Sequence, residues 1–169
     1  MNLWLLQTAR WLRRRAENVA VAFLAVMFIA FIIQIVFRYV LNWPVGWASE
    51  VSILMWLWVV LWGAAFVLSE NEEVRFDIVY SNVSVVVRRT FTVITGAALV
   101  FLYSISLPAS YSYVSFMKVE RSAYLKIPLN YLYSIYVIFA IACIARYCWL
   151  TWHAISGDKP PATDPAAVV

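Results

Sequence analysis

Long apolar runs dominate the chain, and most charged residues gather at its ends, in the connections and near the ends of the runs. The runs cover residues 19–40, 47–68, 87–113 and 128–152, each at least as long as the about 20 residues a helix needs to cross about 30 Å of hydrocarbon. None alternates apolar and polar positions as a half-buried strand would. The pattern predicts an all-α membrane protein of four transmembrane helices. Residues 2–16 form a different element: Trp4, Thr8, Trp11 and Leu12 recur at helical spacing on one side, with Arg10, Arg13 and Arg14 on the other. This predicts an amphipathic interfacial helix anchored by Trp4, Trp11, Arg13, Arg14 and Arg15, with indole rings at headgroup level and guanidinium groups toward anionic lipid. The n-region of a cleavable signal peptide would also be basic, but the apolar segment that follows is too long and no A-x-A-like site closes it.

Three domains follow: 2–16 as the interfacial helix, 17–155 as the transmembrane domain and 156–169 as a Pro/Ala-rich tail without periodicity, expected to be disordered. The largest polar connection, 69–89, opens with Glu70, Glu72 and Glu73. It then alternates over Val74-Arg75-Phe76-Asp77-Ile78, which suggests an extended segment skimming the interface. Its acids read as a solvated loop before they read as a catalytic cluster. Pro108 should bend the third span near its far end, and Pro128 should open the fourth. In the second span, Gly63-Ala64-Ala65 makes a small-residue patch where another helix could come close.

Composition supports this reading. The chain is 64% hydrophobic and 13% charged, with a mean hydropathy of +0.80, against about 25% charged residues in soluble domains. The net charge of +4 does not point to nucleic acid, because the cations cluster beside the spans. With the N-terminus inside, Arg10, Arg13, Arg14, Arg15, Arg75, Arg88, Arg89, Arg146 and Lys159 fall on the inner side. Arg38, Lys118, Arg121 and Lys126 fall outside. That asymmetry predicts cytoplasmic termini.

The most informative stretch is the hinge between the first two spans, from Arg38 to Glu50. It carries a cation at one end and a carboxylate at the other, each just inside its helix. Ionisable groups at that depth are costly and usually have a task. The two either snorkel separately to the interface or pair, with each other or with a partner subunit.

No catalytic set converges elsewhere. His153 is the sole histidine, which excludes a bis-histidine haem site within one chain. Cys143 and Cys148, five apart in the last span, point to different faces and form no C-x-x-C. The middle of every span is apolar or weakly polar, which disfavours a transporter working alone. No cofactor or metal site is expected, and the chain reads as a partner-binding membrane protein, not an enzyme.

The hinge resembles a known pattern. Arg38-Tyr39-Val40, Asn42, Pro44, Trp47 and Glu50 resemble the signature of the small membrane subunit (DctQ-like) of tripartite ATP-independent periplasmic (TRAP) transporters. The similarity runs on through Gly63-Ala64-Ala65, through Val74-Arg75-Phe76-Asp77 and through Ile127-Pro128, about residues 15–155 in all. There are departures. A single acid, Glu50, follows Ser49 where the family often has two; Glu73 replaces a usual histidine; and a Pro-Gly pair is absent around Ile135-Tyr136.

The resemblance implies a multi-pass subunit of the bacterial inner membrane, paired with a large multi-span permease that holds the substrate and sodium sites. A periplasmic binding protein would deliver an organic acid, expected to be a carboxylate, for symport. Arg38, Asn42, Pro44, Trp47, Glu50, Gly63 and Asp77 would then be structural or partner-interface residues. Two other functions fit four apolar spans: the membrane anchor of a respiratory oxidoreductase with haem ligands shared with a partner, and a self-sufficient small multidrug exporter.

Overall fold

The computed structural model describes residues 3–68 and 85–156, and among them every regular element is a helix. Helix α1 runs from Leu3 to Tyr39 and α2 from Gly46 to Trp62, where it passes into a π-helical turn over Gly63–Val67. Helix α3 spans Val85–Phe116 and α4 spans Leu129–Ser156. Each contains a segment long and apolar enough to cross a membrane. The four expected spans are therefore present, with the third and fourth longer by up to a turn.

The N-terminal region is continuous with the first span. Residues 3–39 form one continuous helix, with no boundary separating an interfacial segment from a spanning one. Nothing in residues 10–18 breaks a helix: Arg, Leu, Ala and Glu are good formers, and there is neither Gly nor Pro. Arg13 and Glu17, at i,i+4 spacing, join across one turn at 3.1 Å. The segment 74–78, Asp77 included, and the tail from 157 lie outside the described residues.

The chain divides into two compact units. The first holds α1, the hinge, α2 with its π turn, the end of α3 from Ser110, the α3–α4 connection and α4 as far as Phe139. Here α1 packs along α2 and the π turn. Phe23 meets Trp58 and Trp62 edge-on at centroid distances of 5.6 and 6.3 Å, and Phe66 lies 4.6 Å from Trp62. Two indoles tie elements together through the backbone. Trp62 Nε1–H donates to the Ala16 carbonyl and Trp58 Nε1–H to the Leu132 carbonyl, both at 3.0 Å. Ala48 and Ile135 are fully buried, with Ala30, Leu54 and Val114 nearly so. In lipid, burying an apolar side chain against another helix gains no hydrophobic free energy. Close packing and these polar ties carry the association.

In the second unit, α3 from Val85 to Ala109 and α4 from Ala140 to Ser156 approach closely at Gly96, where an added Cβ would overlap the Thr151 hydroxyl. Arg89 donates from its guanidinium to the Ala154 and Ile155 carbonyls, capping the C-terminal end of α4 where unpaired carbonyls gather. Pro108 sits within α3. Cys143, buried, and Cys148, exposed, are not joined in a disulfide.

The Trp62 tie can be tested directly. Trp62→Phe keeps an aromatic ring against Phe23 and Phe66 but removes the donor to Ala16. Unfolding of the purified chain in mixed micelles should show a loss of about 0.6 kcal/mol, the average for hydrogen bonds between membrane helices. Trp62→Ala should lose clearly more, through packing.

Candidate functional site

The hinge begins where α1 is forced to stop. Asn42 adopts a left-handed backbone (φ 50°), which turns the chain back so that the Trp43 N–H donates to the Phe37 carbonyl at 2.9 Å. Asparagine is the residue after glycine best suited to that position. Pro44 follows, with no N–H with which to continue a helix. Val45 then caps α2 without a side-chain hydrogen bond. Inside the first turns of α2, the hydroxyls of Ser49 and Ser52 donate back to the Gly46 and Ala48 carbonyls at 2.9 and 3.0 Å. Those polar groups are thereby satisfied within their own helix.

Arg38 and Glu50 do not pair with each other. The Arg38 guanidinium lies over its neighbour's ring, 5.8 Å from the Tyr39 centroid, and the side chain is exposed. Glu50 has other partners. One carboxylate oxygen accepts from two consecutive backbone amides of the α3–α4 connection, Tyr124 at 2.8 Å and Leu125 at 3.3 Å. The hydroxyl of Ser122, which is almost fully buried, also hydrogen-bonds to Glu50, and the Lys126 ammonium adds a favourable charge. The pairing across the hairpin considered from the sequence fails for a physical reason. The Glu50 carboxylate is turned toward the α3–α4 connection, whose amides it accepts from, while the Arg38 guanidinium lies against Tyr39.

The loop that Glu50 holds is built to be held. Arg121 and Pro128 form an isolated antiparallel bridge, closed by Ser122 N–H to the Ile127 carbonyl at 2.9 Å and Leu129 N–H to the Glu120 carbonyl at 3.0 Å. The Ser122 hydroxyl accepts from the Ile127 N–H at 3.2 Å. Lys126 takes a left-handed backbone (φ 57°), and Pro128 then leads into α4. The closed loop leaves the amides of Tyr124 and Leu125 pointing outward, a small anion-binding concavity. The anion is the protein's own carboxylate. One turn earlier on the same face of α2, Gly46 lies beneath the Tyr124 ring, so close that a Cβ there would overlap it. Carboxylate and glycine together form a clasp between α2 and the α3–α4 connection.

The other residues singled out from the sequence are dispersed. Trp47 is exposed in the first turn of α2, and Gly63 opens the π turn with clear space where its Cβ would be. Trp4 lies in α1; Trp11 is exposed, with the Arg15 guanidinium 5.1 Å from its ring centroid, and Arg14 is exposed beside it. Asp77 falls outside the described residues. The partners that complete the clasp, Gly46, Ser122, Tyr124 and Leu125, had no marker in the sequence beyond one. Gly46 precedes Glu50 by the four residues that put both on one helix face.

A family described as tripartite ATP-independent periplasmic transporters, DctQ component, matches residues 27–156, which include the hinge, the clasp and all of α2 and α4. No curated protein matches the chain.

Two outcomes test the clasp. Glu50→Ala strips the amides of exposed Tyr124 and half-buried Leu125 of their acceptor, an effect on the order of 0.5–1.5 kcal/mol. Hydrogen exchange at Tyr124 and Leu125 should accelerate several-fold. Gly46→Ala should destabilise the chain by displacing Tyr124, and Tyr124→Ala should remove most of that cost when combined with it. Separately, Asn42→Gly should be tolerated, whereas Asn42→Ile should cost about 1–2 kcal/mol in thermal unfolding for the strained left-handed turn.

Proposed function

The chain belongs to the DctQ component family of tripartite ATP-independent periplasmic transporters, and on that premise we propose that it is the fixed, non-transporting scaffold of a sodium-coupled importer. In this reading it sits in the bacterial inner membrane with both termini in the cytoplasm. It binds a large multi-span permease that holds the substrate and sodium sites. A periplasmic binding protein delivers an organic acid, a carboxylate, to the assembled pair. The family is a transporter component, and its match gives no support to the oxidoreductase anchor or the self-sufficient exporter.

One observation carries the scaffold role: the hinge carboxylate of this chain is spent on its own backbone. Glu50 locks a loop, and Ser49 and Ser52 bond back onto their own helix. Polar groups that close on themselves rigidify a frame; a transport site keeps some of them free for cargo and ions. The exposed faces of the four helices leave ample room for a partner. Arg38, Trp47, Gly63 and Asp77 are proposed to serve that interface, and Asn42, Pro44 and Glu50 to set its geometry.

Purification of the tagged chain from its native membrane should recover a much larger multi-span protein. Proteoliposomes holding both chains and a periplasmic binding protein should take up an organic acid in response to a sodium gradient, and this chain alone should not. A pure homo-oligomer, or uptake by the chain alone, would overturn the scaffold reading. Glu50→Ala should lower co-purification of the large partner several-fold.

A further inference from the structure

Helix α1 is longer than the membrane it crosses. Its 37 residues make about 55 Å at about 1.5 Å per residue, against about 30 Å of hydrocarbon. The contacts with α2 show where the excess lies. Ala16 is level with Trp62, because the indole bonds to its carbonyl, and Phe23 is level with Trp58 and Trp62. The two helices run antiparallel, so stepping from Trp62 to Val67 on α2 corresponds to stepping from Ala16 to Trp11 on α1. Arg10, Arg13, Arg14 and Arg15 therefore stand level with the π turn at the end of the second apolar span. That is where hydrocarbon gives way to headgroups.

Direction adds to depth. Ala16 and Phe23 mark the side of α1 that faces α2. At about 100° per residue, Arg14 leaves the opposite side, Arg10 and Arg15 flank it, and none of the four points at α2. Arg14 and Arg15 are exposed, as are Trp11 at 56% and Leu12 at 57%. Glu17, the only carboxylate in the first 49 residues, is bonded to Arg13. The Arg15 guanidinium stacks on Trp11, which presents a cation and a flat amphipathic ring side by side. A helix lying flat on the membrane would carry its cations on one side of the axis, opposite its apolar stripe. Here they spread over more than half of the circumference, as a collar.

We propose that this collar is a binding site for anionic glycerophospholipid in the leaflet where α1 begins. The phosphodiester is held by Arg14 and Arg15, and Trp11 lies at the level of the glycerol backbone. Guanidinium forks match phosphate oxygens two at a time, which a lysine does not. The site fixes how far α1 slides through the membrane, and it stands independently of the transporter's cargo.

The experiment titrates phosphatidylglycerol, with phosphatidylcholine as the neutral comparison, into the full-length chain in a non-ionic detergent. Native mass spectrometry counts the retained lipid. Phosphatidylglycerol should be retained in preference. Each cation near a lipid surface contributes about fivefold in binding, so Arg14→Gln with Arg15→Gln should weaken retention about 25-fold. Arg14→Lys with Arg15→Lys should keep the charge and lose only a few-fold. Lys118→Gln with Arg121→Gln, two exposed cations at the opposite end of the span, should change nothing. Equal retention of the two lipids, or an equal loss in the Lys118/Arg121 variant, would overturn the proposal. So would a gain above tenfold in phosphatidylglycerol retention on replacing Glu70, Glu72 and Glu73 with Gln, since that would assign the collar to the chain's own acids.

Discussion

A backbone amide that leaves a helix must still find an acceptor, and in hydrocarbon only the protein can supply one. The α3–α4 connection leaves the consecutive N–H groups of Tyr124 and Leu125 without a partner in their own segment. Glu50 supplies one from another helix. That contact is charge-assisted and so stronger than a neutral one. It also brings together elements distant in sequence, α2 and the turn into α4. The Trp58 indole repeats the arrangement by donating to the backbone of α4 at Leu132. The first unit is thus joined in good part by side chains reaching to main chain.

This arrangement suits a frame better than a machine. Hydrogen bonds to backbone are hard to rearrange without unfolding the segment that supplies them, whereas side-chain ion pairs exchange partners easily. A subunit that stays still while its partner moves benefits from such fixed ties. The small, fully buried Ala48 and the near absence of space above Gly46 point the same way, since neither leaves room for a rotamer change.

The helices were legible from the apolar runs, because lipid imposes length and hydrophobicity on any span and both are visible in one dimension. The hinge was legible for a similar reason: Asn42 and Pro44 are residues whose backbone preferences nearly dictate a helix stop. What the pattern could not show was continuity and partnership. Residues 2–16 look amphipathic in isolation, yet no breaker separates them from Val19. The helix therefore propagates from Leu3 to Tyr39 without a break. Glu50 marked itself as unusual, but two of its partners are main-chain amides, which carry no residue identity. No reading of side-chain types along a single chain could have chosen Tyr124 and Leu125 over Arg38.

The π turn at the end of α2 has a consequence of another kind. Its wider hydrogen-bond loop takes up one residue more than an α-helical turn would, so every residue after it is rotated by about 100° relative to an uninterrupted helix. Leu68 therefore leaves α2 on a side that the sequence period alone would not assign. A sequence one residue shorter between Trp62 and Leu68 would keep the same composition, hydropathy and span. It would nonetheless end α2 at a different angle about the helix axis. Rotational phase, a property no hydropathy profile records, is set there by Gly63, Ala64 and Ala65.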